Sequence, residues 1–177
     1  MAEVVFSEGK GVCDVFVVDV LQKIADWHNK NVKLTSGDRF TALKMGAGLK
    51  SLHMQHSAAD FHVIGVLDVV AFVDICTFAA FQVFDFEQNR YEFLHHGPST
   101  ETSGEHLHVG RFPEGKGVSF IIEGYTPQTK GVYQTIGGIG DYFKLSSTPK
   151  IQKALQQNTV PSPIRARDSA FSNLCKR

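Results

Sequence analysis

Two short segments concentrate the side chains that could do chemistry. The segment "SLHMQHSAAD" at 51–60 contains His53 and Asp60, and the segment "GEHLHVGRF" at 104–112 contains His108. Imidazole and carboxylate groups are common zinc ligands, and a hydrolytic zinc site uses three protein ligands with one position left for water. His53 and Asp60 are seven positions apart, which lets a loop followed by a strand turn both side chains inward. We therefore interpret the two segments as halves of one metal site.

The second segment has the alternation of a β-strand. His106, His108 and Gly110 are expected on one face of that strand, and Leu107 and Val109 on the other. Two histidines directed inward beside a buried sheet cost free energy unless they bind something. The pattern is therefore typical of a ligand-bearing strand.

The first segment also resembles a known motif. It is similar to the S-x-H-x-x-x-x-A-x-D motif of the zinc D-Ala-D-Ala peptidases and related peptidoglycan endopeptidases, whose fold is shared with the Hedgehog signalling domain. The resemblance implies that His53 and Asp60 bind Zn²⁺ and that "EHLHV" supplies a third ligand, His108. Upstream, "TSGDRF" resembles the S-G-x-R element of the family, which implies that Arg39 lines the substrate site. The resemblance covers about residues 12–112.

The same resemblance implies a general base, for which two residues are candidates. One branch of the family uses a glutamate three residues before the last zinc histidine, the position of Glu105 here. Other branches have an H-x-H arrangement, which His106 and His108 match. We favour Glu105, because a carboxylate can take a proton from the attacking water and deliver it to the leaving amine. His106 would then stabilise the oxyanion, and the reverse assignment stays open.

Further positions bear on the substrate and on departures from the motif. Ser51 is expected to orient the substrate together with Arg39. His56 stands where the motif usually has glycine, so it is expected either to rearrange the turn or to reach toward substrate. The family commonly has an aspartate two residues after the last histidine, and here that position is Gly110.

Charge and hydropathy exclude several classes of partner. Eighteen basic residues balance eighteen acidic ones, so the chain has no electrostatic reason to bind nucleic acid. Its three cysteines form no CxxC pattern, which indicates neither a disulfide framework nor a thiolate zinc site. The apolar stretch at 63–84 carries Asp68 and Asp74, so we expect a buried helix and no transmembrane segment. No signal peptide is apparent.

These side chains must be positioned by a fold of the α+β class. Periodicity predicts helices at 12–28 and about 67–82, and strands at 58–65 and in "NVKLTSGDRF", "RYEFLHH", "EHLHVGRF" and "GVSFIIEGY". His95 and His96 are interpreted as loop residues after a strand. The expected architecture is a small antiparallel sheet with helices packed on one face, similar to the Hedgehog and D-Ala-D-Ala peptidase fold.

The chain is expected to divide into a zinc peptidase-like domain at 1–145 and a C-terminal extension at 146–177. The extension is expected to contain a short helix near 149–157 and to be flexible or to dock on a protein partner.

The function expected from the resemblance is a zinc-dependent metallopeptidase that hydrolyses peptidoglycan stem peptides or cross-links. The alternative is a non-catalytic structural or binding module that zinc stabilises, such as a virion-associated protein. The apparent lack of an export signal agrees with cytoplasmic synthesis followed by holin-dependent release or packaging into a particle. A cytoplasmic dipeptidase is a third possibility.

Overall fold

The computed structural model describes residues 1–39, 51–80 and 88–136. The predicted loop at 44–51 lies almost wholly outside these residues, and the predicted helix near 149–157 and the extension at 146–177 lie entirely outside them.

Two α-helices fall within the described residues, α1 (Val15–His28) and α2 (Asp68–Ala80). Both confirm the predicted helices. Helix α1 begins three residues later than predicted because Asp14 is its N-cap, accepting hydrogen bonds from the backbone N–H groups of Phe16 and Val17. The helix ends at His28, and its C-cap Asn29 has a left-handed conformation with φ of 49°.

The described residues also form one mixed sheet of seven strands. In chain order these are β1 (Val4–Phe6), β2 (Val32–Ser36), β3 (Ala58–Val63), β4 (Arg90–His96), β5 (His106–Phe112), β6 (Gly117–Glu123) and β7 (Gln134–Ile136). Their order across the sheet is β1-β2-β3-β5-β4-β6-β7. The pairs β1–β2 and β4–β6 are parallel, and the other neighbours are antiparallel.

The strands and helices agree with the predicted α+β class, but the prediction of a small antiparallel sheet is wrong. Strands β1 and β7 have three residues each, too few to show an alternating pattern in the sequence. The parallel pairs also have a topological cause. Helix α1 connects β1 to β2 as a crossover, and β6 joins the free edge of β4 instead of extending the sheet beyond β5.

The two helices contact the same face of this sheet. On α2, the Phe72 ring lies 5.6 Å from the His95 ring of β4. At the start of α1, Arg111 of β5 donates from Nε to Asp14 Oδ2 at 2.7 Å, and its guanidinium lies 4.9 Å from the Phe16 ring. His95 and Arg111 point to one side of the sheet, together with the buried Leu107 and Val109 of β5.

Side chains at the intervening positions point to the opposite side, which we call the histidine face. It carries Asp60 of β3, His96 of β4, and His106 and His108 of β5. All four are buried residues, so each needs a hydrogen-bonding partner or a ligand.

Neither helix among the described residues has the length and apolar character needed to cross a bilayer.

Candidate metal centre

The register of two neighbouring strands joins the two halves of the candidate site. Asp60 of β3 and His108 of β5 are directly opposite each other in an antiparallel pair. His108 Nδ1 lies 2.9 Å from Asp60 Oδ1. Because residues directly opposite in antiparallel strands point to the same face, the pairing places both side chains on the histidine face.

A compact turn before β3 brings His53 to the same carboxylate. The N–H of Met54 donates to the carbonyl of Ser51 at 2.9 Å, and the N–H of Ser57 donates to the carbonyl of Leu52 at 3.0 Å. Within the turn His56 has φ of 59°, a left-handed conformation that favours glycine and costs another residue about 1–2 kcal/mol. His56 therefore adopts the backbone conformation suited to the glycine that the motif usually has there.

His53 is fixed from both ends of its ring. Its Nε2 lies 3.1 Å from Asp60 Oδ1, and its Nδ1 lies 2.8 Å from the carbonyl oxygen of Gly37. A carbonyl can only accept, so Nδ1 carries a proton, and Nε2 is the ring nitrogen that faces Asp60. A side chain at Gly37 would overlap the carbonyl oxygen of Gly11, so this close approach of the backbone requires glycine.

His53, Asp60 and His108 form what we call the metal group. One donor atom from each residue lies within 4.8 Å of the other two donor atoms, and all three residues are buried. Two imidazole nitrogens and one carboxylate oxygen fit a metal such as zinc, which takes nitrogen and oxygen ligands and in catalytic sites leaves one position open. The three residues predicted from the sequence as ligands therefore come together as a group that could hold a metal ion.

Hydrogen bonds within this group set its protonation. Burial would raise the pKa of Asp60, but hydrogen bonds with His108 and His53 outweigh it and hold this pKa well below its usual value. Burial would lower the pKa of His108, but the neighbouring carboxylates of Asp60 and Glu92 raise it to about 9. The group thus holds an ionised carboxylate beside a protonated imidazole, and a metal ion would replace that proton.

Arg39 and Ser51 lie at the edge of the metal group. Arg39 Nη2 lies 3.3 Å from Asp60 Oδ2 and donates to Ser36 Oγ at 3.2 Å. The Arg39 backbone N–H also donates to the carbonyl of His53 at 3.0 Å. Ser51 contributes its backbone carbonyl to the turn before β3.

The remaining predicted substrate residue, His56, lies beside Asp38, with its Nδ1 3.6 Å from Asp38 Oδ2. Asp38 Oδ2 also accepts the Cys13 backbone N–H at 2.8 Å. The His56 side chain is 40% exposed, so the ring remains accessible from solvent.

The structure separates the two candidate general bases. His106 lies on the histidine face, with its Nε2 3.8 Å from Asp60 Oδ1. Glu105 lies just before β5, and its Oε1 is 3.3 Å from His95 Nε2. Since the His95 ring also packs against Phe72 of α2, this contact directs Glu105 toward the helix-covered side of the sheet.

A second cluster lies next to the metal group on the histidine face. The rings of His96 and His106 stack with centroids 4.4 Å apart. Glu123 Oε2 accepts from His96 Nδ1 at 2.8 Å and from the Thr100 hydroxyl, and Glu123 Oε1 accepts the Gly131 N–H at 2.6 Å. We call His96, Thr100, His106 and Glu123 the stacked cluster.

The interpretation of His95 and His96 as loop residues is wrong, because both end strand β4 and both are buried. His95 faces Tyr125 and α2, whereas His96 faces Glu123. The alternation along "RYEFLHH" could have shown that the two rings point to opposite sides.

Sequence reasoning also missed Glu92. Its Oε1 lies 3.3 Å from His108 Nε2, on the side of the ring away from Asp60. The alternation in β4 predicts that Glu92 and His96 share a face, but it does not predict that Glu92 stands beside β5 near His108. The position of Glu92 near His108 follows from the register of β4 and β5, in which Glu92 is opposite Gly110.

The chain was compared with protein-family models, curated proteins and solved structures, and no match was found in any of the three. The resemblance to the zinc D-Ala-D-Ala peptidases stays a prediction.

Proposed function

We propose that the chain is a zinc-dependent peptidase that hydrolyses peptidoglycan stem peptides or their cross-links. The observation that supports this most is the convergence of His53 Nε2, His108 Nδ1 and Asp60 Oδ1 from two distant segments. These are the residues that the resemblance to the D-Ala-D-Ala peptidases implies as ligands. The donor set has three members, as in hydrolytic zinc sites.

His53, Asp60 and His108 would hold the ion, which when bound would supply Lewis acidity for activation of water and polarisation of the scissile carbonyl. The contact between Gly37 and His53 Nδ1 keeps His53 Nε2 directed at the group. Arg39 pairs with Asp60 Oδ2, and its guanidinium carries further N–H donors suited to a substrate carboxylate.

For the general base we favour His106 over Glu105. His106 Nδ1 lies 2.6 Å from the carbonyl oxygen of Gly104, so Nδ1 carries a proton, and in the neutral form of the ring Nε2 is an acceptor. That acceptor lies 3.8 Å from Asp60 Oδ1, next to the metal group. His106 Nε2 is therefore suited to take a proton from the attacking water and return it to the leaving amine.

The test uses purified peptidoglycan and zinc-loaded protein, with released peptides identified by mass spectrometry. We expect wild type to cleave, and His106→Ala to lose roughly 10²- to 10⁴-fold in rate while its zinc content stays that of wild type. Glu105→Gln, the matched variant on the other side of the strand, should retain most of the rate. The opposite ranking would reinstate Glu105 as the base, and an inactive zinc-loaded wild type would reject the peptidase.

One observation favours a second function, a non-catalytic module that zinc stabilises. His106 is outside the group of three donors, but its Nε2 lies 3.8 Å from Asp60 Oδ1, and a shift toward the ion would give the four protein ligands typical of closed structural zinc sites. In that case wild type would cleave no stem peptide, a chelator would unfold it, and His106→Ala would lower zinc affinity. A peptidase with His106 as base predicts unchanged zinc affinity in the same variant.

A further inference from the structure

Glu92 is a partly buried residue of strand β4, and the proposed function gives its carboxylate no role. Its side chain is 20% exposed, and its Oε1 lies 3.3 Å from His108 Nε2. His108 thus has a carboxylate at each ring nitrogen, since Nδ1 lies 2.9 Å from Asp60 Oδ1. The nitrogen that faces Glu92 is the one that does not face the metal group.

Gly110 provides the space for this contact. It is opposite Glu92 in the antiparallel pair of β4 and β5. A Cβ at residue 110 would lie 2.5 Å from Leu52 Cδ1, 3.1 Å from His108 Nε2 and 3.3 Å from Glu92 Oε1. Gly110 is not among the glycines with positive φ, so the position needs glycine for space and not for backbone conformation.

We propose that Glu92 is a positioning residue of the metal group, acting on His108 through the gap that Gly110 leaves. The inference rests on the proposed metal-binding function. A carboxylate accepts but does not donate when ionised, so Glu92 keeps a proton on His108 Nε2. The neutral ring then presents its Nδ1 lone pair to the metal, alongside His53 Nε2 and Asp60 Oδ1.

The two histidine ligands are therefore oriented in the same way by different partners. His53 donates from Nδ1 to the Gly37 carbonyl and presents Nε2. His108 donates from Nε2 to Glu92 and presents Nδ1. A carboxylate partner makes an imidazole ligand more basic than a carbonyl partner does, so the Glu92 contact should contribute more to metal affinity.

The test is zinc affinity, measured by competition with a chromophoric chelator at fixed pH. Glu92→Leu removes the acceptor, and we expect the zinc Kd to rise about 10- to 100-fold. Glu92→Gln keeps an acceptor oxygen without the charge, so its Kd should fall between those of wild type and Glu92→Leu. Glu114→Gln, which removes an exposed carboxylate after β5, is the matched charge control and should bind like wild type.

A rescue variant separates positioning from folding. In Glu92→Ala/Gly110→Asp the carboxylate is supplied from β5 itself, next to His108 Nε2, and the flexible end of Leu52 must move aside. We expect this double variant to regain most of the affinity that Glu92→Ala loses. Nitrogen-15 spectra of the zinc-loaded histidine rings should show the proton on His108 Nε2 in wild type and in the rescued protein.

Zinc binding by wild type and by Glu92→Leu separates the role of Glu92 from the metal-binding function on which it rests. If wild type binds no zinc, the metal-binding function itself fails. If wild type binds zinc and folded Glu92→Leu binds it equally well, only the role of Glu92 is overturned. Circular dichroism of each variant without metal establishes which variants are folded.

Discussion

The histidine face holds two clusters, each with two histidines and one carboxylate, and they differ in which groups contact the carboxylate. In the metal group, Asp60 Oδ1 faces His53 and His108, and Asp60 Oδ2 faces Arg39. In the stacked cluster, Glu123 accepts from the Thr100 hydroxyl, the Gly131 backbone N–H and His96. One carboxylate is therefore surrounded by imidazoles and a guanidinium, and the other chiefly by neutral donors.

The pKa values of His108 in the metal group and His96 in the stacked cluster are shifted in opposite directions. The pKa of His108 is raised to about 9, because its carboxylate partners outweigh its burial. The pKa of His96 is lowered to about 4, because burial outweighs its hydrogen bond to Glu123. Contact between a histidine and a buried carboxylate is therefore not enough to identify a metal ligand, because both clusters have such a contact. What distinguishes the metal group is that one donor atom from each of three buried side chains lies within 4.8 Å of the other two, so that the group could hold a metal ion.

Among the variants that test the difference between the two clusters, Asp60→Ala is expected to have the largest effect, a loss of zinc affinity. Asp60 is the residue that both ligand histidines share, so zinc affinity should fall by more than the roughly 100-fold that loss of an outer neighbour costs. Metal analysis after dialysis, followed by competition titration, measures it. Retained affinity in a folded Asp60→Ala protein would mean that the metal group does not hold the ion.

The counterpart in the stacked cluster is Glu123→Leu, which should act on stability instead of metal binding. The substitution leaves the Thr100 hydroxyl, the Gly131 N–H and the His96 ring without their acceptor. His96 is buried and the other two donors are only partly so, and we expect the loss of their acceptor to lower the free energy of unfolding by about 1–3 kcal/mol.

Urea unfolding in the presence of EDTA measures the stability of Glu123→Leu, and chelator competition measures its zinc affinity. We expect reduced stability with affinity close to wild type. A large loss of affinity at unchanged stability would show that the two clusters act as one site.

The residue pattern within a single segment predicted those features of the site that depend on that segment alone. The period of two along "EHLHVGRF" placed His106 and His108 on one face, as strand β5 confirms. The spacing in "SLHMQHSAAD" led to the expectation that His53 and Asp60 converge, and they do. Each of these predictions needed only the geometry of a turn or a strand.

What the sequence could not show depends on pairing between distant segments. Glu92 reaches His108 because β4 lies beside β5 in a register that sets Glu92 opposite Gly110. Glu123 reaches His96 because β6 adds to β4 in parallel. Neither register has a local signal, since a strand's alternation fixes its faces but not its neighbours.

The pH dependence of the metal-free protein is the smallest effect when it is counted for each pH unit, and it sharpens the comparison most directly. For His108, whose folded pKa is raised to about 9, the stabilisation is fully present below the unfolded value near 6.5 and is lost as pH rises through 9. For His96, whose folded pKa is lowered to about 4, stability is lost as pH falls from 6.5 toward 4, since the unfolded state binds the proton first. Each group changes the free energy of unfolding by at most about 1.4 kcal/mol for each pH unit.

Nuclear magnetic resonance titration of the histidine rings in EDTA follows the two groups separately. We expect His108 to stay protonated at pH 7 while His96 is neutral, and zinc addition at that pH to release a proton from His108 but none from His96. Opposite charge states on His108 and His96 would show that the histidine face is divided by protonation as well as by geometry. Identical titration of both rings would remove the electrostatic difference between the clusters and leave only their hydrogen-bond partners to separate them.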